Sequence, residues 1–289
     1  MKKFRILVTG ATSSLGLAVG RSIRSLSHHA TGTTRTLGAG LASAVFDRLV
    51  YIDLEDHSTI AALKGNFDAL IHVAAASHGS PEQLIRVTGE GTSVLIEKAI
   101  SLGIPRCVLV SGMSVYGQVS VPVIRADTPI SHSTPYGAAK WIAECSLNAA
   151  RHRISGVSVR SPAIVGPQVS TQSHFLARVY ARMLSGARTC ELSNPDFKFN
   201  NVIHEETLAD FLVSLALSDL KDFQYCPVGS FPDEPLENII HRIAKHTGYT
   251  GTVSWITPTS PPFSIGLEDA TRLGFQPILT SETLRRWLV

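Results

Sequence analysis

A phenol and an ammonium stand four residues apart in the stretch Thr134-Pro135-Tyr136-Gly137-Ala138-Ala139-Lys140. Pro135 suits the first position of a helix and Thr134 its N-cap. Residues four apart share a helix face, so Tyr136 and Lys140 point the same way. A free phenol has a pKa of roughly 10, too high for acid–base work at neutrality, and a fixed positive charge alongside favours the phenolate and lowers that value. Such a pair is suited to passing a proton to or from a substrate oxygen near neutral pH. The competing reading is a surface tyrosine beside a solvated lysine. The spacing alone is common by chance, so the surrounding elements must decide.

Those elements begin at once. Residues 4–8 form a short apolar run, followed by Thr9-Gly10-Ala11-Thr12-Ser13-Ser14-Leu15-Gly16; Leu15, Val19, Ile23 and Leu26 then recur at helical spacing. Strand, glycine turn and helix together are the context that a dinucleotide fingerprint requires. Gly10 permits the tight turn, and Gly16 permits close packing of helix on strand. Thr12, Ser13, Ser14 and Leu15 lie between them, at a helix N-terminus that offers N–H groups and partial positive charge to a pyrophosphate. Ser13 stands where glycine is usual; it can cap the helix but leaves the backbone less room. A second strand over residues 28–34 runs into Thr33-Thr34-Arg35. An acid at this point binds the ribose 2′-hydroxyl of NAD, whereas Thr34 and Arg35 suit the 2′-phosphate of NADP, which a guanidinium grips with two prongs. The expected cofactor is NADP. NAD is the alternative, with Arg35 stacked on the adenine.

Further strands are expected over 49–52, 69–73, 106–110 and 157–160. They lead into Asp53-Leu54, Ala74-Ala75-Ala76, Ser111-Gly112-Met113-Ser114-Val115-Tyr116-Gly117 and Ser161-Pro162-Ala163-Ile164-Val165-Gly166-Pro167. The small residues at 74–76 let a flat ligand lie against the backbone at the strand ends. Helices are expected over 82–102 and 135–151, with Gly89 and Gly91 weakening the first unless another segment packs closely there. Strands alternating with helices imply an α/β fold, a doubly wound parallel sheet of Rossmann type. Beyond Pro167 the pattern loosens to helices over 173–186, 200–217 and 236–246, a proline-rich turn at 257–262 and a short final segment over 284–289. The chain divides into a dinucleotide-binding domain, 1–166, to which 202–225 returns, and a smaller substrate-binding part, 167–201 and 226–289.

With 289 residues, 44% of them hydrophobic, the chain can bury a substantial core. The net charge of +3 is small and the basic residues are scattered, so nucleic acid is not an expected partner. Cys107, Cys145, Cys190 and Cys226 are far apart in sequence and read as reduced thiols of a cytoplasmic protein. Met1-Lys2-Lys3 has the charge of a signal peptide's start, but the apolar run after it is too short, and no later run approaches a membrane span. His204-Glu205 hints at zinc, yet position 208 is Leu, so no metal is expected.

Taken in order, seven of these stretches resemble the extended short-chain dehydrogenase/reductases, the nucleotide-sugar epimerase/dehydratase group. They are the Thr9–Gly16 loop, Asp53-Leu54, Ala74-Ala75, Ser114-Val115-Tyr116-Gly117, Tyr136 with Lys140, Arg160-Ser161-Pro162 through Gly166-Pro167, and Val202-Ile203-His204. The resemblance implies that Tyr136 is the catalytic acid or base and that Lys140 holds the nicotinamide ribose. It implies that Asp53 hydrogen-bonds the adenine, that Ala74 to Ala76 line the cofactor and that Pro162 abuts the nicotinamide. The substrate implied is a sugar or nucleotide-sugar; Gln168, His174, Arg188 and Asn201 are candidate contacts. It also implies a homodimer through the two long helices, unless these simply cover the sheet in a monomer.

The departures from the family pattern matter as much. The hydroxyl expected four residues before Tyr116 is missing at Gly112, and Ser111 and Ser114 flank the gap. Thr88 replaces an asparagine. Dehydratases of the group carry acids just before the Val-Tyr-Gly turn, where this chain has Met113-Ser114. Hydride transfer by a reductase or dehydrogenase therefore fits best. A 4-epimerase holding NAD tightly and a non-catalytic NADP-binding regulator are the alternatives.

Overall fold

The computed structural model describes residues 2–36, 40–131, 134–167, 174–258 and 260–288. In chain order it runs β1 (Arg5–Thr9), α1 (Ser14–Ser25), β2 (His29–Thr34), α2 (Gly40–Val45), β3 (Arg48–Tyr51), α3 (His57–Ala61), β4 (Ala69–His72) and α4 (Pro81–Leu84). A π-helical stretch, Ile85–Glu90, leads into α5 (Gly91–Ser101), β5 (Arg106–Gly112), a 3₁₀ turn (Met113–Tyr116), β6 (Val123–Ile124) and α6 (Pro135–Ala149). Then come β7 (Ser155–Ser161), β8 (Ala163–Val165), α7 (Phe175–Leu184), β9 (Thr189–Leu192), β10 (Val202–His204) and α8 (Glu205–Leu217). The chain closes with β11 (Phe223–Pro227), α9 (Leu236–Thr247), β12 (Thr252–Trp255), β13 (Ser264–Ile265), α10 (Glu268–Arg272) and α11 (Thr280–Trp287).

Seven parallel strands form the central sheet in the order β11-β7-β5-β4-β1-β2-β3. The order reverses beside β1, where the β1 and β4 ends diverge and open a crevice for a ligand. Side chains alternate along each strand, so both faces must be covered. Ile6 and Val8 pack with Val19 and Ile23 of α1 and Leu208 and Leu212 of α8 on one face. Leu7 and Leu109 pack with Leu95 and Ile96 of α5 and Leu147 of α6 on the other. A separate core lies beyond the strand ends, where Leu176, Val179 and Met183 of α7 meet Ile239, Ile240 and Ile243 of α9.

The expected doubly wound sheet is therefore present, with differences of detail. The helix expected over 82–102 is broken by the π-helical stretch. Its glycines do admit close packing: a Cβ on Gly91 would sit 2.5 Å from the Leu54 carbonyl oxygen. Residues 202–204, read as the start of a helix, form β10, which pairs with β8 before α8 begins. Of the final segment, residues 284–287 are the C-terminal part of α11, which starts at Thr280. The two-stranded pairs β9–β12 and β6–β13 escaped the sequence reading altogether.

Candidate active site

At the C-terminal ends of β1, β2, β4, β5 and β7 lies one cavity of about 1500 Å³. All but one of the predicted site residues line it: Gly10, the run Thr12 to Leu15, Thr34, Arg35, Asp53, Leu54, Ala74 to Ala76, Ser111, Ser114, Tyr136, Lys140 and Pro162. Gly16 is the exception. It sits behind the wall, where a Cβ would lie 2.1 Å from the Gly10 carbonyl oxygen, so α1 can meet β1 this closely only with glycine at this position. Gly10 has φ +71°, in the left-handed region open to glycine.

Ser13 is the N-cap of α1. Its hydroxyl accepts the Gly16 N–H at 3.0 Å and donates to the Gly10 carbonyl at 2.8 Å. The serine that stands in place of glycine thus closes the turn itself. Next to it, the Ser14 hydroxyl donates to Glu205 at the head of α8, and Arg21 lies 3.7 Å from that carboxylate. Burial pushes the Glu205 carboxyl above its ordinary value. The loop is therefore tied to a part of the chain 191 residues away.

A buried relay fixes the floor at the switch point. Thr9 Oγ1 accepts the Val73 and Ala74 N–H groups, each at 3.1 Å, and so donates its own proton to His72 Nδ1 at 2.6 Å. His72 Nε2–H then donates to Thr92 Oγ1 at 2.8 Å, and Thr92 donates to the Thr88 carbonyl. Burial, with a smaller contribution from the Lys140 charge, holds His72 neutral by pulling its pKa to about 3. Thr88 Oγ1 in turn accepts the Ala76 N–H at 3.0 Å, so the threonine that replaces asparagine supplies a bond to the 74–76 segment. Thr9, His72 and Glu205 shape the site through partners too remote in sequence to be read from it, and no motif assigned them that role.

The candidate acid–base pair, Tyr136 and Lys140, sits on the first turns of α6. Thr134 caps the helix by accepting the Gly137 N–H at 3.2 Å, and Pro135 takes the first helical position. Lys140 is buried and donates from Nζ to the Val110 carbonyl of β5 at 2.8 Å. Its Nζ lies 5.9 Å from the centroid of the half-buried Tyr136 ring. Lys140 is thus no solvated surface lysine, and Tyr136 is half-buried on the cavity lining.

Opposite them, Gly112 leaves space: a Cβ there would come 3.5 Å from Ser114 Oγ. Ser114 thus reaches the region that a side chain at 112 would fill. Ser111 Oγ is buried with no hydrogen-bond partner among the described residues. Of the other candidate contacts, His174 and Asn201 line the cavity. Arg188 is exposed just before β9 and does not line it, and Gln168 lies outside the described residues. Phe197, Phe199 and Phe263, unremarked in the sequence, form much of the far wall. Among the described residues, no group of three or more His, Cys, Asp or Glu is gathered so as to hold a metal ion. Nor is any described helix long and apolar enough to cross a membrane.

A dinucleotide fits these residues. The Cβ-free approach of Gly10 to Ala74, the capped α1 terminus, the small residues at 74–76 and a cavity of about 1500 Å³ supply the room and the donors it needs. Comparison with known proteins agrees. A dTDP-glucose 4,6-dehydratase of Streptomyces niveus is 30% identical over 173 residues, 54% of this chain and 51% of that protein. The match thus spans about half the length of that curated relative. Among solved structures, the UDP-Glc/GlcNAc 4-epimerase of Campylobacter jejuni superposes with a TM-score of 0.81 at 18% identity, covering 99% of this chain and 98% of the other. A UDP-glucose 4-epimerase of Thermus thermophilus, solved in complex with NAD, gives 0.76 at 19% identity, covering 98% and 97%. At such identities these two likenesses speak for the fold. The sequence profile of the NAD dependent epimerase/dehydratase family matches residues 6–201, and the chain belongs to that family.

Proposed function

We propose that this protein is an NAD(P)-dependent oxidoreductase that transfers a hydride at a carbonyl or hydroxyl carbon of a sugar, free or carried on a nucleotide. The observation that carries the reading is the placement of Tyr136 and Lys140 in the wall of the dinucleotide-sized cavity, the tyrosine half-buried and the ammonium buried against β5. The nicotinamide, when bound, supplies or takes the hydride. Tyr136 exchanges the proton with the substrate oxygen, and the Lys140 charge stabilises negative charge arising on the phenol. Ser114, reaching the space left by Gly112, donates to the same substrate oxygen. Met113-Ser114 offers no acid for an elimination, so the reaction of the dehydratase relatives is disfavoured. Residues 167–201 and 226–289, which carry α7 and α9, are the substrate-binding part. Incubation with NADPH and a panel of keto-sugars should bleach the reduced-nicotinamide absorbance. Isomerised sugar with no net change in absorbance would instead favour an epimerase.

We read the cofactor as NADP. β2 ends in Thr33-Thr34 and Arg35 follows it; the Thr34 hydroxyl is engaged with the backbone of Thr36, accepting its N–H at 3.0 Å, and Arg35 is exposed on the cavity lining. A hydrogen bond to a charged group contributes about 1.5–3 kcal/mol, so Arg35→Ser should lower affinity for NADP relative to NAD by roughly 10–100-fold. Fluorescence titration with both dinucleotides checks this. A wild-type protein that already prefers NAD, with a ratio unmoved by the substitution, would place Arg35 on the adenine.

The serine assignment is separable too. Ser114→Ala should cut kcat by about 10²-fold, as loss of one donor to a developing oxyanion does. Ser111→Ala should cost far less. The reverse order in steady-state kinetics would move the role to Ser111, whose hydroxyl has the spare capacity.

A further inference from the structure

The far end of the cavity restricts what the redox chemistry proposed above can act on. Arg35 and Lys140 are the only lysine or arginine residues among the described residues that line the cavity, and both belong to its cofactor half. Lys140 is moreover committed to the Val110 carbonyl. By sequence, residues 37–39, 132–133, 168–173 and 259 add no lysine or arginine. The far wall is instead largely Phe175, Phe197, Phe199 and Phe263, with Pro261 and Pro262, and its polar members Ser193, Asn194 and Ser260 are uncharged.

A nucleoside diphosphate needs cations or free helix N–H groups to replace the water around its two charges. N–H groups at both helix N-termini at this end already have acceptors. His174 Nδ1 accepts the Ala177 N–H at the head of α7 at 3.2 Å. Burial, then the nearby Arg178 charge, pulls the His174 pKa down to about 4, so the ring brings no charge at neutral pH. At the head of α9 the N–H groups of Leu236 and Glu237 donate to the carbonyls of Phe197 and Pro195 at 2.9 and 3.0 Å. Glu237 itself adds negative charge to that first turn. The polar capacity left is neutral. Asn201 donates from Nδ2 to the Phe263 carbonyl at 3.2 Å, while its Oδ1 is buried without a hydrogen-bond partner among the described residues. Such an atom is an acceptor in want of one donor.

We propose that the substrate is an uncharged aldehyde or ketone, or the matching alcohol, that lays an apolar face on the phenyl wall and offers one hydroxyl or N–H to Asn201, and is not a sugar carried on a nucleoside diphosphate. The inference rests on Tyr136-assisted hydride transfer. Its balance is carbonyl plus NADPH plus a proton giving alcohol plus NADP⁺, with hydride to carbon and proton to oxygen.

The test has a turnover arm and a binding arm. In the first, NADPH oxidation is followed with uncharged hydroxyaldehydes and hydroxyketones, 4-hydroxybenzaldehyde and glyceraldehyde marking the aromatic and aliphatic ends, and with a nucleotide-linked 4-keto-sugar. In the second, the protein–NADP⁺ complex is titrated calorimetrically with the same uncharged carbonyls, with UDP and with UDP-glucose. Uncharged carbonyls should bind and turn over, and millimolar UDP should neither bind nor slow them. Micromolar binding of UDP or UDP-glucose overturns the inference, and so does failure of every uncharged carbonyl to bind. If uncharged carbonyls bind and UDP does not, yet nothing is reduced, the substrate class stands and the redox reading is what fails.

Discussion

Tyr136→Phe should lower kcat by about 10²–10⁴-fold, the range that a positioned general acid or base contributes. The substitution removes one oxygen and keeps the ring, so α6, its Thr134 cap and the Lys140–Val110 bond should persist. A group that acts only in the transition state lowers kcat and kcat/KM together, so KM should hardly move. Binding of the dinucleotide should likewise stay near wild type, because Arg35, the α1 terminus and the 74–76 segment are untouched. A variant that loses dinucleotide affinity in proportion to turnover would make the phenol a binding group. A variant as active as wild type would remove Tyr136 from the chemistry. Were the protein a non-catalytic regulator, there would be no turnover to lose.

A second large effect is expected at a site that touches no ligand. Glu144 of α6 and Arg160 of β7 are 0% and 1% exposed and form a two-pronged pair, with Nη2 to Oε2 at 2.7 Å and Nε to Oε1 at 3.0 Å. Ser158 adds a donor to Glu144 at 2.9 Å, and Arg160 reaches the Tyr116 hydroxyl at 2.9 Å. Its guanidinium also lies 4.2 Å from the Tyr225 ring centroid and 4.7 Å from that of Tyr116. The pair therefore joins the helix that carries Tyr136 and Lys140 to the sheet and to the turn that carries Ser114. Removing one partner of a buried ion pair leaves the other charged and dry, which costs about 3–5 kcal/mol. Glu144→Ala should lower the thermal midpoint on the order of 10 °C. The double change Glu144→Leu, Arg160→Met should recover much of the loss, because an apolar pair of similar volume has no charge to strand. A single variant within about 1 kcal/mol of wild type by denaturant unfolding would show that water reaches Arg160.

Much of this was legible in the chain because it is written locally. The β1 loop, the capped start of α6 and the small residues at 74–76 each signal a backbone need within a few positions. What was hidden depends on partners far along the sequence. β9 pairs with β12 across some sixty residues, and β6 and β13 are two residues each, too short for any period to show. The choice between Ser111 and Ser114 turns on a 3₁₀ turn, Met113–Tyr116, whose geometry no residue count reveals. The uncharged far wall was invisible for the same reason: lysines and arginines are present in the second half of the sequence, and only folding shows that none of those described there faces the cavity.

The central claim is hydride transfer beside Tyr136, and isotope transfer tests it whichever carbonyl is reduced. The protein is given NADPH deuterated at C4 of the nicotinamide and the mixed panel of uncharged and nucleotide-linked carbonyls, and the products are read by mass spectrometry and deuterium NMR. The account predicts one deuterium on the new carbinol carbon, absent when the protein is Tyr136→Phe. Dinucleotide binding with no deuterium passed to any carbonyl would contradict it.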